Sequence, residues 1–133
     1  PAGPHAAQAE WEALPPERGR ADKHLWGLVP GEGPWVGCLE AVEGYPIERT
    51  CWLGLLLLPP QARGQGQGRR VVEAFQAWAQ ARGHADVQLA VVEANAAALR
   101  FWTRLGYELH RTVEDRVIGL KTHRLQVLGR MLR

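Results

Sequence analysis

The sequence predicts a mixed α/β domain built around one sheet. Two apolar runs of strand length, at residues 51–58 and 87–92, are each followed by a segment whose apolar side chains recur at helical spacing. Shorter strand-like segments bounded by Gly and Pro precede and follow them. The predicted element order is β-β-β-α-β-α-β-β, and a length of 133 residues suits a single domain spanning 1–133.

The first elements are a short helix and a β-hairpin. Residues 5–14 favour a helix that is terminated by two prolines. Residues 25–29 and 35–43 have the apolar content of strands, and the Pro- and Gly-rich sequence between them favours a turn. The two strands are therefore predicted to pair, and the second ends before Gly44.

The central strand and helix come next. Residues 51–58 end in four consecutive leucines, a pattern typical of a strand that is covered on both faces. In residues 68–82 the apolar side chains recur every three or four positions, which predicts an amphipathic helix. Gly83 is suited to the C-terminal cap of that helix.

The C-terminal half repeats the alternation of strand and helix. A strand at 87–92 leads to Asn95, whose residue type caps helix N-termini, and the helix that it starts ends at Gly106. Strands are then predicted at 107–114 and 123–131, with a loop between them.

Composition and charge exclude several classes of protein. A net charge of +2 gives no reason to expect nucleic-acid binding, and no apolar stretch approaches the roughly 20 residues needed to span a bilayer. The two cysteines, Cys38 and Cys51, are too few for a disulfide framework and fit no metal-ligand spacing. We therefore expect a cytoplasmic protein with reduced thiols, no bound metal and no membrane contact.

The segment between the central strand and helix is the most informative part of the chain. Residues 63–68 read Arg-Gly-Gln-Gly-Gln-Gly. Glycines let backbone N–H groups converge on one point, and the helix that follows adds the positive end of its dipole, so the segment predicts an anion site. A nucleotide P-loop is excluded because no Lys-Ser/Thr pair follows Gly68. A dinucleotide fingerprint is excluded because the third glycine comes one residue early.

The same segment resembles the acyl-CoA signature of the GNAT superfamily of N-acyltransferases. The pattern Arg-x-x-Gly-x-Gly is matched at 63–68, after a strand-Pro approach like that of the family. A second family motif is matched at 95–107, where Asn is followed by a short helix, Leu-Gly and an aromatic residue. Residues 52–107 therefore resemble the acyl-CoA-binding core of the family, with its motifs in the same order and spacing.

The resemblance implies a mostly antiparallel sheet, splayed between the strands that end near Leu58 and Val92. The pantetheine arm of acetyl-CoA would lie in the resulting slot, and the glycine turn would bind the pyrophosphate. The residues implied to contact acetyl-CoA are Leu56 and Leu58 through their backbone, Arg63, Gly64, Gln65, Gly66, Gln67, Gly68, Arg69, Asn95 and Trp102. An N–H group near Leu56–Leu58 would polarise the thioester carbonyl. For Asn95, helix capping and ligand contact are compatible.

The catalytic groups are less defined than the cofactor site. Relatives with a recognised general acid carry Tyr where this chain has Trp102, and an indole N–H is not a usable acid. Trp102 either lines the thioester pocket or belongs to the core, and Tyr107 is expected in the core. Candidates for the general base are Glu40, Glu43, Tyr45, Glu93 and His24. The simpler interpretation of each is a polar side chain near a strand end that is exposed to solvent.

The resemblance implies an enzyme that transfers the acetyl group of acetyl-CoA directly to a primary amine of a small molecule or peptide in a ternary complex. A non-catalytic acyl-CoA-binding or interaction module on the same fold is the alternative, and an acyl-CoA hydrolase is a further one. A homodimer would be unsurprising. Residues 1–24 are too few for the strand and two helices that precede the hairpin in the family, so the first strand is predicted to be missing.

Overall fold

A computed structural model of the protein describes residues 22–28, 37–58 and 66–133. Within these ranges, strands and helices follow one another in the predicted order. The strands are β1 (Lys23–Leu28), β2 (Gly37–Glu43), β3 (Thr50–Leu57), β4 (Asp86–Val92), β5 (Glu108–Ile118) and β6 (Lys121–Met131), and the helices are α1 (Gln67–Ala81) and α2 (Ala96–Arg104). The predicted helix at 5–14 and the prediction of a missing first strand concern residues 1–21, which lie outside the described residues.

The described strands form one sheet in the order β1-β2-β3-β4-β6-β5. All neighbours are antiparallel except β3 and β4, which are parallel and are joined through α1. Parallel neighbours need such a crossover connection, because a tight turn can only join antiparallel strands. The predicted mixed α/β class with a mostly antiparallel sheet is therefore confirmed.

Strands β3 and β4 separate partway along their length. They pair only over Thr50–Trp52 and Asp86–Gln88. Beyond these residues, β3 continues in register with β2, and β4 continues in register with β6 as far as Val92. The backbone edges that β3 and β4 turn towards each other are thus left apart, and the predicted splay of the sheet is confirmed.

A bulge in β3 coincides with the start of this splay. Glu40 of β2 is opposite Leu55, whereas its neighbour Ala41 is opposite Leu53, so Gly54 is the extra residue. A bulge shifts the two-residue alternation of a strand by one position. Leu53 before the bulge consequently belongs to the core, and Leu56 after it, partly buried, packs against the same core.

The main core lies between one face of the sheet and the two helices. It combines Val72, Phe75 and Ala79 of α1 and Trp102 of α2 with alternate residues of the strands. The contact between the helices is close at the N-terminus of α1, where a Cβ on Gly68 would lie 3.1 Å from Phe101. No helix in the described part of the chain is long and apolar enough to cross a membrane.

Two sequence-based expectations are corrected. The loop expected between 114 and 123 is a tight turn, because β5 continues to Ile118 and β6 begins at Lys121. The expected burial of residues 55–58 on both faces is also wrong, since all four leucines there are only partly buried. The splay leaves these residues without a paired strand on the β4 side, which exposes that edge of β3.

Candidate functional site

The N-terminus of α1 lies at the end of the sheet where β3 and β4 are apart. Gly66 caps the helix with a positive φ of 77° and makes no side-chain capping bond, and the first turn contains no acidic residue. The first N–H groups of a helix have no partner within it, and they carry the positive end of the dipole. This end of α1 therefore has the features of an anion site.

The close packing of this helix end explains one of its glycines. A Cβ on Gly68 would lie 3.2 Å from Phe101 Cζ and 3.4 Å from Leu58 Cδ1. The absence of a side chain lets the helix start directly over the end of β3. Gln67 is partly buried in the same turn. Arg63, Gly64 and Gln65 lie outside the described residues.

Arg69 follows on the outer side of the helix. Its side chain is exposed, and its Nε donates to Glu73 Oε2 at 3.1 Å, one helical turn further on. An exposed pair of this kind contributes little to stability, so Arg69 can exchange Glu73 for a phosphate at small cost. Its predicted role in phosphate binding is compatible with this position but is not tested by it.

Asn95 is the N-cap of α2. Its Oδ1 accepts a hydrogen bond from the N–H of Ala98 at 3.1 Å, and its own N–H donates to the carbonyl of Val92 at 2.8 Å. The side chain is exposed just beyond the end of β4. Capping occupies the carbonyl oxygen, while the amide NH₂ group remains a hydrogen-bond donor. Asn95 is thus a helix cap in this structure, and its contact with the pantetheine arm stays a prediction.

Trp102 packs in the core of the described fold. It is 8% exposed, and its ring contacts Phe101 and Tyr107 at centroid distances of 4.9 and 5.1 Å. Tyr107 is also buried, and its hydroxyl accepts a hydrogen bond from Gln76. Burial raises the pKa of Tyr107 to about 12, so its hydroxyl is a poor general acid at neutral pH.

Glu43 is the centre of a charged cluster at the other end of β3. Arg82 donates to both of its carboxylate oxygens at 2.8 Å, and the Nε2 atoms of His84 and His24 lie 2.7 Å from them. Hydrogen bonding from Arg82, with further bonds to His84 and His24, lowers the pKa of Glu43 to about 2 although burial opposes the shift.

The position of this cluster bears on two of the candidate bases. Glu43 is opposite Cys51, which is about 17 Å along β3 from Leu56. His24 is bonded to Glu43 and stacks on Trp26 at a centroid distance of 5.4 Å. Both side chains are therefore bonded to other groups and lie far from the segment that is expected to polarise the thioester carbonyl. A cavity of about 360 Å³ adjoins the cluster.

The two remaining strand-end candidates are also engaged. Tyr45 follows β2 and packs its ring against Trp52 at a centroid distance of 5.6 Å. Glu93 directly follows β4, and its carboxylate accepts hydrogen bonds from Arg124 and Gln126. Glu93 is at the splayed end of the sheet, whereas Tyr45 lies at the end where β3 and β4 stay paired.

Glu40 lies next to the bulge at which the strands separate. It is opposite Leu55, and a Cβ placed on Gly54 would be 2.6 Å from its Oε1. Its Oε2 is 3.2 Å from Nζ of Lys23, and these side chains are 6% and 1% exposed. Sequence reasoning did not predict a role for Lys23, because the sequence of a strand does not show whether a lysine at its start is exposed or buried. Only the strand register sets it diagonally across from Glu40.

The two thiols are buried, and the pKa of each is raised. Burial raises the pKa of Cys51 to about 12. Burial, together with the nearby Glu40 carboxylate, also raises the pKa of Cys38. Since the thiolate is the nucleophilic form of cysteine, neither residue is suited to carry an acyl group at neutral pH.

The comparisons with known proteins agree with the two matched motifs. A family model described as the acetyltransferase (GNAT) family matches residues 2–107. No curated protein sequence matches the chain.

Solved structures with the same fold include several acetyltransferases. A spermidine N-acetyltransferase from Vibrio cholerae in complex with CoA and spermine has 13% identity and a TM-score of 0.73, with 84% of this chain and 66% of that chain covered. An IAA acetyltransferase from Bacillus cereus has 13% identity and a TM-score of 0.72, with coverages of 85% and 80%. An acetyltransferase from Bacillus subtilis in complex with CoA has 11% identity and a TM-score of 0.71, with coverages of 85% and 79%.

At such identities the likeness to these structures establishes the fold alone. The family model is the stronger finding, because it matches most of the length of the chain and includes both motifs. The chain belongs to the GNAT acetyltransferase family.

Proposed function

We propose that the protein is an acetyl-CoA-dependent N-acetyltransferase that acts on a primary amine of a small molecule or peptide. The observation that carries the proposal is the separation of β3 from β4 next to the N-terminus of α1, which has no side-chain cap. A slot between strands offers backbone groups to a pantetheine arm, and the helix end offers N–H groups to a pyrophosphate. Two of the solved structures with this fold contain CoA.

The proposed cofactor site combines described and undescribed residues. The backbone of Leu56 and Leu58 pairs with the pantetheine arm, and Asn95 donates its amide to the same arm. The pyrophosphate is held by the glycine turn and the first turn of α1, which comprise Arg63, Gly64, Gln65, Gly66, Gln67, Gly68 and Arg69. Trp102 supports the slot from within the core, next to Phe101.

Among the candidate bases, we favour Glu40. It is opposite Leu55, adjacent in the chain to the residues expected to polarise the thioester carbonyl. Glu43 is disfavoured because its carboxylate is bonded to Arg82, His84 and His24 at the paired end of β3, away from the splay. Tyr45 and Glu93 remain weaker alternatives.

Direct transfer in a ternary complex suits the available nucleophiles. Neither Cys38 nor Cys51 is exposed or readily ionised, which disfavours an acyl-cysteine intermediate. A thiol of ordinary pKa, about 8.5, leaves as its thiolate without a dedicated acid at only moderate cost. Trp102 at the family's tyrosine position therefore does not preclude catalysis.

The burial of Trp102 also favours the second candidate function, a non-catalytic acyl-CoA-binding module. An indole packed in the core supplies no proton, so a chain that had lost catalysis could keep this arrangement. The two functions share the cofactor site and differ only in turnover.

Cofactor binding is tested by thermal denaturation with and without CoA. CoA is expected to raise the melting temperature of the wild-type protein, because a ligand that binds only the folded state stabilises it. Gly66→Glu should abolish the shift by placing a carboxylate at the anion site. Gly83→Glu is the matched control: Gly83 also has a positive φ, 92°, and a Cβ on either glycine meets no atom of the described residues within 4 Å. Equal CoA shifts in both variants would contradict the assigned site.

Turnover is tested by release of free thiol from acetyl-CoA in the presence of a panel of primary amines. An N-acetyltransferase should release thiol only when an acceptor amine is added. A CoA-dependent thermal shift without thiol release on any amine would support the binding module. Amine-independent release would indicate a hydrolase.

A further inference from the structure

The structure contains a buried ion pair that sequence motifs did not indicate. Lys23 of β1 and Glu40 of β2 lie 3.2 Å apart between Nζ and Oε2, with side chains 1% and 6% exposed. Glu40 is on the face of β2 opposite Leu39 and Ala41, which belong to the core under the helices. The pair is therefore separate from that core.

The ion pair adjoins the point where the sheet opens. Trp52 is the last residue of β3 that pairs with β4, and the bulge at Gly54 follows. Glu40 Oε1 lies against Gly54, and Gly54 itself is exposed. A buried carboxylate thus lies beneath an exposed glycine at the mouth of the slot, with no side chain of β3 between them.

A buried carboxylate does not stay ionised by itself. Desolvation disfavours its charged form, and a nearby cation restores that form. Breaking a buried pair by removing one partner is strongly destabilising, whereas apolar replacement of both partners is often neutral. Stability alone therefore gives little reason to bury an ion pair here in place of two apolar side chains, and a use of the charge is the better explanation.

We propose that Lys23 is a positioning residue for acetyl transfer, holding Glu40 ionised and in place beside the opening of the slot. The inference rests on the proposed function and on Glu40 as its general base. Lys23 does not itself contact the reacting atoms.

The proton balance defines what Glu40 must do. The acceptor ammonium gives one proton to the Glu40 carboxylate, and the freed nitrogen lone pair forms the C–N bond to the acyl carbon. The C–S bond breaks, and its electron pair goes to sulfur. The second proton lost from nitrogen goes to the leaving thiolate, so the reaction needs no separate acid from Trp102.

The test compares Lys23→Met, Lys23→Arg, the double variant Lys23→Met with Glu40→Gln, and a control. The control is Thr50→Val, because Thr50 donates to buried Asp86 at 2.6 Å where β3 and β4 stay paired. Each variant is measured by melting temperature, CoA-dependent shift and thiol release with an amine that the wild type accepts.

Lys23→Met is expected to lower kcat about 100-fold or more, in the range of general acid–base contributions, while keeping the CoA-dependent shift. Lys23→Arg should keep kcat within about tenfold of wild type, because it retains the charge. Thr50→Val should lower the melting temperature while leaving kcat nearly unchanged. The double variant should regain melting temperature relative to Lys23→Met but stay slow.

Wild-type kcat in Lys23→Met or in the double variant would overturn the inference and leave the proposed function standing. A loss of kcat in Thr50→Val equal to that in Lys23→Met would also overturn it, since the effect would then follow stability alone. If the wild-type protein binds CoA but no amine in the panel causes it to release thiol, the proposed function is refuted, and the inference with it.

Discussion

At the scale of single residues, Asn95 joins two roles that the sequence could not separate. Its carbonyl caps α2 by accepting from Ala98, and this leaves the amide NH₂ group to donate at the end of β4. Capping alone accounts for an asparagine at this position, since Asn, Asp and Ser are equally good caps. A role of the side-chain amide beyond capping would be detected only as a change in ligand affinity.

Asn95→Ser distinguishes the two roles. Serine keeps the cap without a charge, so the free energy of unfolding should change by only a few tenths of a kcal/mol. If the amide contacts the pantetheine arm, loss of one hydrogen bond, about 0.5–1.5 kcal/mol, should weaken CoA binding roughly two- to tenfold. Chemical denaturation and CoA titration measure the two effects. Unchanged affinity would restrict Asn95 to capping.

At the scale of elements, α1 has two dissimilar ends. Its N-terminus has no side-chain cap and no acidic residue, although acidic residues at this end normally stabilise a helix. Its C-terminus leads into Arg82, which is tied to Glu43 and lies 4.9 Å from the centroid of the Trp78 ring. The helix is thus anchored at one end and leaves its positive pole unneutralised at the other, as an anion site requires.

Gln67→Glu should therefore have opposite effects on stability and on CoA binding. A carboxylate in the first turn is expected to stabilise the free protein by about 0.3–1 kcal/mol through the helix dipole. The same charge should repel the pyrophosphate and reduce the CoA-dependent thermal shift. Gln80→Glu, in the last turn, is the control and should lower stability without changing that shift. An equal CoA-dependent thermal shift in Gln67→Glu and Gln80→Glu would argue against the anion site.

At the scale of the whole molecule, the two ends of β3 differ in how they are held. The paired end is fixed by Glu43, which links β1, β2 and the residues that follow α1. The splayed end lacks strand pairing between β3 and β4. The proposed function places ligand binding at the splayed end, opposite the end that Glu43 stabilises.

The pH dependence of stability should report the fixed end. Because the pKa of Glu43 falls from 4.5 to about 2 on folding, its stabilising effect is complete above pH 4.5 and is lost as the pH falls towards 2. Glu43→Gln should be less stable than wild type at pH 5, and the two unfolding free energies should converge near pH 2. Denaturant titrations at pH 5 and 2.5 measure this. A constant difference across that range would mean that the pKa of Glu43 is not lowered.

The element order and the cofactor motif are properties of local sequence. Residues 51–58 and 68–82 have the apolar periods of a strand and a helix, so β3 and α1 were predicted within a residue or two at each end. The family resemblance could be recognised at 63–68 because the spacing of the arginine and glycines is itself the signal. The end of β5 was missed because residues 115–122 mix charged and apolar side chains without the two-residue alternation of a strand. Val117, Ile118 and Leu120 are exposed there, and the two strands are held by their mutual pairing.

Long-range pairing decided the rest. The sequence determined the fold class and the two motifs, because each depends on residues close together in the chain. Only the tertiary structure showed that Arg82 donates hydrogen bonds to the Glu43 carboxylate, that Trp102 is buried, and that Lys23 forms an ion pair with Glu40 beside Gly54. The contacts of Glu43 and Lys23 depend on strand register, and a one-residue change of register places a side chain on the other face of the sheet. The burial of Trp102 depends on how α2 packs against the sheet.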